Sequence, residues 1–142
     1  MNPMQAKVKE FHDTYGLNDP PHPVIPPREV QALRMRLIEE ETDEFRQASD
    51  SGNLTDAIKE LCDLLYVVLG AANAYGVDIE PFFAEVHRSN MTKLWQDGKV
   101  RKNELGKVIK PPTYSPADIQ RVLDGVRAFE NGSGQSTVSS KQ

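Results

Sequence analysis

The chain has little cysteine and no long apolar run. Cys62 is its one cysteine, so no disulfide can form within the chain, and this usage suits a reducing cell interior. No apolar run near the start resembles a signal peptide, and none reaches the ~18 residues of a membrane span. We therefore expect a cytoplasmic protein that does not enter a membrane.

Several motifs of nucleotide and metal chemistry are also absent. The chain contains no Walker phosphate loop, no GxGxxG turn and no cysteine/histidine cluster. The Glu-x-x-His pairs of di-iron bundles are missing, because neither Glu41 nor Glu60 has a histidine three residues later. The net charge of −4 argues against a general nucleic-acid partner. With these motifs absent, a metal site in this chain would have to be built from carboxylates alone.

The length and composition predict a single domain. The chain has 142 residues, of which 38% are hydrophobic, and this is enough to bury a core. We expect the domain to cover residues 1–130, without internal repeats. It includes a proline-rich linker at 17–27 and a basic loop at 95–114. Residues 131–142 are rich in Gly, Ser and Gln, and we expect a disordered tail there.

Helical periodicity and helix-end signals predict an all-α fold. The expected helices are 3–15, 28–50, 54–75, 79–93 and a last one that starts with the capping sequence Ser115-Pro116-Ala117-Asp118. A short connection makes the second and third helices antiparallel neighbours. The third helix is apolar nearly all round, so we expect helices from a second copy of the chain to complete the bundle.

Acidic side chains occupy helix faces that should point into the core. Glu41 and Glu44 fall within the apolar stripe of the second helix, and Glu40 lies at its edge. Glu60 and Asp63 are three residues apart and therefore share one face of the third helix. Buried carboxylates are unfavourable unless they are paired or bind a metal. Oxygen-only ligands indicate Mg²⁺, with Mn²⁺ as a substitute.

The basic residues near these acids are too few to neutralise them. Lys59 precedes Glu60, and we expect its side chain to point away from the acids. Arg34 and Arg46 are expected to pair only at the margins of the acidic group. His12, on the first helix, is expected to be a partly exposed surface histidine, and a contact with a base or ribose is the alternative. Divalent cations are therefore the predicted counter-charge.

A second group of residues suits a phosphorylated ligand. Asn90 and Lys93 occupy positions where the apolar stripe of the fourth helix should continue; an amide suits a sugar or base edge, and a lysine suits phosphate. The basic loop can fold over a polyphosphate, and Trp95 can stack on a base. A frayed helix end, a solvated loop and a packing tryptophan remain the alternatives. The candidate substrate-binding residues are Asn90, Lys93, Arg88, Lys107, Lys110 and Trp95.

These motifs resemble the all-α nucleoside triphosphate pyrophosphohydrolases of the MazG-like superfamily. That superfamily includes dimeric dUTPases, to whose branch the chain is most similar, and phosphoribosyl-ATP pyrophosphohydrolases. The resemblance covers roughly residues 5–125. It is carried by Leu33-Arg34 before the acids, Glu40-Glu41-x-x-Glu44, Glu60-Leu-x-Asp-Leu-Leu-Tyr66, Glu85-Val-His-Arg-x-Asn90-x-x-Lys93 and Asp97-Gly-Lys…Gly106-Lys-Val-x-Lys-Pro111.

The resemblance implies an enzyme, a cofactor and an assembly. The implied reaction is Mg²⁺-dependent hydrolysis of (d)NTP to (d)NMP and pyrophosphate, in house-cleaning or in control of the nucleotide pool. One Mg²⁺ would be held by the carboxylates of Glu41, Glu44, Glu60 and Asp63. Glu40 would bind a further Mg²⁺ or orient the attacking water, so that Glu40 and Glu41 are the catalytic candidates. A homodimer or a dimer of dimers is implied. A non-catalytic nucleotide-binding bundle and a purely structural bundle stay open as alternatives.

Overall fold

Residues 1–133 are described by the structure, a computed structural model, and they form five α-helices. These are α1 (Pro3–Thr14), α2 (Arg28–Ser51), α3 (Leu54–Ala74), α4 (Ile79–Met91) and α5 (Ile119–Ser133). Within the described residues, β-pairing is limited to an isolated antiparallel bridge between Lys102 and Val108. The predicted all-α fold is confirmed, and the ends of the first four helices agree with prediction to within about two residues.

Local signals explain where the helices begin and end. The Asn2 side chain accepts a hydrogen bond from the backbone N–H of Gln5 at 2.9 Å and so caps α1. Asn53 caps α3 by accepting from the first backbone N–H groups of that helix. Gly76 follows α3 with a φ of +66°, and a Cβ at this position would collide with the carbonyl group of His22. The linker backbone therefore packs against the end of α3 where only glycine fits.

The α2 and α3 helices pack against each other as an antiparallel pair. Arg34 lies against α3 at Gly70, and further along α2 Glu41 lies beside Asp63. Residues with higher numbers on α2 thus lie beside residues with lower numbers on α3. This is the arrangement expected for two helices that the short turn at Gly52 connects. The α1 helix also packs against α3. This pairing places the acidic faces of the two long helices opposite each other.

The α3 helix is covered over only part of its surface within one chain. Its last turns are buried, at Leu69, Ala72 and Ala74 among others. A stripe of large apolar side chains along the helix is exposed, and we call it the α3 stripe: Leu54, Ile58, Leu61, Leu65 and Val68. The helix is therefore not buried on all sides by its own chain, and its coverage by a second copy stays a prediction.

The described chain divides into two compact units, residues 1–80 and the residues from 81 onward. In the second unit, Glu85 is buried on α4 and joins this helix to the start of α5. Its carboxylate lies 2.8 Å from Arg88 and 3.0 Å from Arg121, and it accepts a hydrogen bond from the backbone N–H of Asp118. The single domain predicted for residues 1–130 stays a prediction.

The start of α5 differs from the predicted capping sequence. The hydroxyl of Ser115 accepts a hydrogen bond from Arg88 at 3.1 Å, so it is engaged away from the helix. Asp118 caps the helix instead, because its carboxylate accepts from the backbone N–H of Arg121 at 3.0 Å, and α5 begins at Ile119. The prediction was wrong because it considered only residues 115–118, whereas Arg88 on α4 donates a hydrogen bond to the hydroxyl of Ser115.

Two further predictions concern the chain ends and membranes. Residues 131–133, which were predicted to belong to the disordered tail, are part of α5. The rest of the predicted tail, residues 134–142, lies outside the described residues. In the described part of the chain, no single helix is both long enough and apolar enough to cross a membrane. Counted together, α3 and α4 would meet that requirement by length and composition.

Candidate metal centre and substrate site

Three of the five predicted acids converge between α2 and α3. One carboxylate oxygen from each of Glu41, Glu60 and Asp63 lies within 4.8 Å of the other two, and all three residues are half-buried. Helical spacing brings Glu60 and Asp63 to one face of α3, and the antiparallel packing brings Glu41 opposite them. We call these three residues the acid group. Its oxygen ligands are of the type that Mg²⁺ and Mn²⁺ prefer.

Glu41 has the least favourable environment in the acid group. Its Oε2 atom is buried and has no hydrogen-bond partner in the described part of the chain. Burial is the main cause that raises the pKa of this carboxyl group. The neighbouring charges of Glu44, Asp63 and Glu60 raise the pKa further. An orphaned carboxylate oxygen among other acids is satisfied by a cation, so these residues fit a divalent metal.

The other two predicted acids are not members of the acid group. Glu44 is exposed, although its charge contributes to the raised pKa of Glu41. Glu40 is also exposed, and it is not among the residues whose oxygens converge. The metal-ligand role of Glu44 and the catalytic role of Glu40 stay predictions.

Lys59 lies against the acid group, and the prediction that it points away was wrong. Its Nζ atom is 2.8 Å from Asp63 and 3.1 Å from Glu60. The prediction considered only the adjacent position, whereas a lysine reaches the residue four positions later on the same helix face. Hydrogen bonds to Asp63 and Glu60 raise the pKa of Lys59. Lys59 therefore supplies part of the positive charge that these carboxylates require.

His12 belongs to a buried polar cluster in the first unit. It is only 2% exposed, and its Nδ1 atom lies 2.7 and 2.8 Å from the two carboxylate oxygens of Asp19. The prediction of a surface histidine was wrong, because the linker folds back and places Asp19 over the ring. Arg34 is also buried, although it was expected to lie at the margin of the acids. The sequence offered no periodic signal for this cluster, since one member comes from an irregular linker.

The six predicted substrate-binding residues all belong to the second unit, and three of them lie on or just after α4. Arg88 is held by the buried Glu85 carboxylate and by the hydroxyl of Ser115. The Nζ atom of Lys93 donates a hydrogen bond to the side-chain oxygen of Asn90 at 2.7 Å. The amide and the ammonium group are thus neighbours, as a shared phosphate or sugar contact would require.

The basic loop gives partners to two of the other three residues. Trp95 donates from its indole N–H to the carbonyl oxygen of Ile109, and the Arg101 guanidinium lies 4.1 Å from the centre of the Trp95 ring. One face of this ring is therefore covered. Lys110 lies over the ring of Tyr114 at 4.5 Å. Lys107 has an exposed side chain. The substrate roles of all six residues stay predictions.

Comparison with known families identifies the type of protein. Residues 8–90 match the phosphoribosyl-ATP pyrophosphohydrolase family, which is more than half of the chain. The chain belongs to this family. This pyrophosphohydrolase family is of the MazG-like all-α type, so the predicted superfamily is confirmed. No curated protein matches the chain at a significant level.

Membership of the phosphoribosyl-ATP pyrophosphohydrolase family indicates which general reaction the protein catalyses. The enzyme is a pyrophosphohydrolase of nucleotide-type substrates. The matched segment includes the whole of α2 and α3, and with them the acid group, Glu40 and Glu44. It ends at Asn90, so Lys93, Trp95 and the basic loop lie beyond the match.

Proposed function

We propose that the protein is a Mg²⁺-dependent nucleoside triphosphate pyrophosphohydrolase that converts (d)NTP and water into (d)NMP and pyrophosphate. The observation that supports this most is the convergence of Glu41, Glu60 and Asp63 in a chain of a pyrophosphohydrolase family. Mn²⁺ would substitute for Mg²⁺, because both take carboxylate oxygens as ligands. A house-cleaning role or control of the nucleotide pool would follow from this reaction.

Each acid has a separate part in this proposal. The acid group would hold the cation, with Glu44 as a further ligand. When bound, such a cation polarises phosphoryl oxygens and lowers the pKa of water. Glu40 is exposed and precedes Glu41 on α2, and it would orient the attacking water or help hold a second cation. Lys59, which pairs with Glu60 and Asp63, would have to yield part of its contact to the cation.

The predicted substrate-binding residues would recognise the rest of the substrate. Lys93 would neutralise phosphate charge, and the adjacent amide of Asn90 would contact the sugar or base. The same proposal extends to the remaining candidates, which offer cationic groups and one aromatic ring: Arg88, Lys107, Lys110 and Trp95. The polyphosphate and the base are thus assigned to different kinds of side chain.

We also propose that the enzyme is a homodimer or a dimer of dimers. The α3 stripe exposes five large apolar side chains at helical spacing on one helix. Such a surface is typical of helix–helix interfaces and unusual on a monomer. A second copy of the chain would bury it.

Product analysis tests the proposed reaction. Purified protein is incubated with nucleoside triphosphates and Mg²⁺, and the products are separated by ion-exchange chromatography. Equal amounts of nucleoside monophosphate and pyrophosphate are expected. Asp63→Asn should lower the rate by about 100-fold or more, since it removes a charged ligand. Glu39→Gln is the matched control, because it removes an exposed acid on α2 outside the acid group.

Two results would contradict the proposal. Release of nucleoside diphosphate and phosphate would show cleavage at a different bond. Nucleotide binding without any turnover, in Mg²⁺ and in Mn²⁺, would favour a non-catalytic nucleotide-binding bundle.

A further inference from the structure

Two lysines of the second unit have only neutral partners. The Lys93 Nζ atom donates to the side-chain oxygen of Asn90 at 2.7 Å, and the Lys110 Nζ atom lies 4.5 Å from the centre of the Tyr114 ring. Among the described residues, neither ammonium group forms an ion pair with a carboxylate. An amide oxygen and a ring face do not cancel a positive charge. Both lysines therefore remain able to attract an anion.

The hydroxyl group of Tyr114 lies in the field of both lysines. A hydrogen bond with Ser89 is the main cause that lowers the pKa of the Tyr114 phenol, and the charges of Lys110 and Lys93 lower this pKa further. A more acidic phenol is a stronger hydrogen-bond donor, and a donor beside two cations suits a negatively charged acceptor. Tyr114 thus adds a directional donor to two point charges.

Tyr114 is the last residue of the basic loop, and it is anchored on α4. Ser89 of α4 is only 2% exposed, and its hydroxyl oxygen lies 3.0 Å from the hydroxyl oxygen of Tyr114. The next residue is anchored as well, because the backbone N–H of Ser115 donates to the hydroxyl of Thr92 at 2.9 Å. The position of the phenol is therefore fixed by the fold before any ligand binds.

The hydroxyl of Ser89 has one proton and two acceptors at nearly equal distances. The carbonyl oxygen of Ser115 lies 2.9 Å from the Ser89 oxygen, and the Tyr114 oxygen lies 3.0 Å from it. When Ser89 donates to the carbonyl oxygen, the Tyr114 hydroxyl has to donate to Ser89. When Ser89 donates to Tyr114, the phenol proton can be donated to a ligand instead. An anion beside the two lysines would favour this second arrangement.

We propose that Tyr114, Lys93 and Lys110 form a site for a phosphate group, in which the Tyr114 hydroxyl is the directional donor and Ser89 is its positioning residue. The inference rests on the proposed function for the identity of the ligand, which is the phosphate chain of the triphosphate and, after hydrolysis, pyrophosphate. Binding of pyrophosphate is testable without turnover.

A phosphate group suits these three donors better than a nucleobase does. Two ammonium groups balance a charge of about −2, which a phosphate group carries and a base does not. Oxygen atoms that point in several directions can accept from two ammonium groups and a phenol at once. The face of the Tyr114 ring that Lys110 covers is not available for stacking on a base.

Pyrophosphate binding without metal tests the site directly. Dissociation constants for pyrophosphate are measured by isothermal titration calorimetry for the wild type, Tyr114→Phe, Ser89→Ala and the variant that carries both changes. Tyr114→Phe removes the hydroxyl and keeps the ring beneath Lys110. Lys93→Met, which leaves the phenol in place, is a second variant of the site. Tyr15→Phe is the matched control, because it removes the hydroxyl of an exposed tyrosine in the first unit.

Tyr114→Phe and Lys93→Met should each weaken pyrophosphate binding by about tenfold, since each removes a donor to a charged group. Ser89→Ala should weaken binding by about threefold alone and should have no further effect in the Tyr114→Phe background, because Ser89 acts through the phenol. For a nucleoside triphosphate with Mg²⁺, Tyr114→Phe should raise KM by about tenfold and change kcat by less than about twofold. Tyr15→Phe should change none of these values.

The phosphate site and the proposed reaction fail in different ways. Hydrolysis with a KM and a pyrophosphate affinity that Tyr114→Phe leaves unchanged would overturn the site and leave the reaction standing. Weaker pyrophosphate binding by Tyr114→Phe, in a protein that hydrolyses no triphosphate, would overturn the reaction and support the site.

Three further results would overturn the proposal. A wild type that does not bind pyrophosphate has no such site. A lower unfolding temperature of Tyr114→Phe with unchanged pyrophosphate affinity would show that the phenol only stabilises the fold. An equal effect of Ser89→Ala in the wild type and in the Tyr114→Phe background would show that Ser89 does not act through the phenol.

Discussion

At the scale of single residues, Glu41 and its neighbours differ in how their charges are balanced. Glu60 and Asp63 share the ammonium group of Lys59, whereas the buried Oε2 atom of Glu41 has no hydrogen-bond partner among the described residues. Burial and three neighbouring acids raise the pKa of Glu41. A bound cation would relieve Glu41 most. Such a cation would supply the partner that the Glu41 Oε2 atom lacks within the described residues.

Replacing Lys59 should make metal binding tighter. Lys59→Met removes a cation that competes for Glu60 and Asp63, so the affinity for Mg²⁺ should rise. The lysine side chain is 63% exposed, which limits the gain to roughly two- to fivefold. Isothermal titration calorimetry with Mg²⁺ measures the change, and Lys7→Met on α1 is the control. Weaker Mg²⁺ binding by Lys59→Met would show that the lysine supports the site.

The acid group could be predicted from the sequence, whereas the buried cluster around Arg34 could not. Positions 41, 60 and 63 follow from helical spacing and from a short turn between two helices, both of which are local properties. The burial of His12 and Arg34 depends on where an irregular linker folds. No periodic pattern specifies the path of the linker, so the sequence did not indicate that Asp19 would lie over His12. The contact of Lys59 with the acids was missed because its side-chain direction was judged from one neighbour.

At the scale of the helices, Glu85 joins α4 to the beginning of α5. Its hydrogen bonds with Arg88 and with the backbone N–H of Asp118 lower its pKa from 4.5 to about 2, and Arg121 contributes by its charge. An acid whose pKa is lower in the folded state than in the unfolded state stabilises the fold above its unfolded pKa. That contribution is lost as the pH falls through the folded pKa.

The second prediction concerns the pH dependence of stability. Glu85→Gln should lower the unfolding temperature at pH 7, because it removes the charge that Arg88 and Arg121 share. Wild-type stability should fall as the pH drops from about 5 to about 2, and the variant should lose less over this range. Circular dichroism melts across this range measure the effect. The control is Glu104→Gln in the basic loop, and parallel pH profiles of wild type and Glu85→Gln would argue against the account.

The helices themselves show which structural elements the sequence specifies. Capping residues and glycines fixed the ends of α1 and α3, because each signal acts within a few residues. The start of α5 was misplaced, since the residue that draws Ser115 away lies on another helix. Contacts between elements that no short turn connects, unlike caps, are not encoded by local spacing.

At the scale of the whole molecule, the α3 stripe is an apolar surface that is exposed among the described residues. The helix was predicted to be buried on all sides, and one chain covers only part of it. An exposed apolar stripe along a long helix is favoured only when a partner covers it. A second copy would extend the bundle with the same kind of helix packing that α2 and α3 already show.

The third prediction tests this association. The double variant Leu61→Asp and Leu65→Asp places two charges in the middle of the α3 stripe and should convert a dimer into a monomer. Size-exclusion chromatography with light scattering gives the mass of each form. Leu105→Asp is the matched control, because that leucine is 92% exposed in the basic loop and should not affect association. A monomeric wild type, or a double variant that remains dimeric, would rule out this interface.

The most direct test of the account is the location of a bound metal. Crystals of the protein grown with Mn²⁺ can be examined at the manganese absorption edge, where anomalous scattering marks the ion. We predict a peak bounded by the carboxylates of Glu41, Glu60 and Asp63, which Glu41→Gln weakens and Glu39→Gln leaves unchanged. A peak at another position, or no peak at a Mn²⁺ concentration that supports pyrophosphate release, would contradict the account.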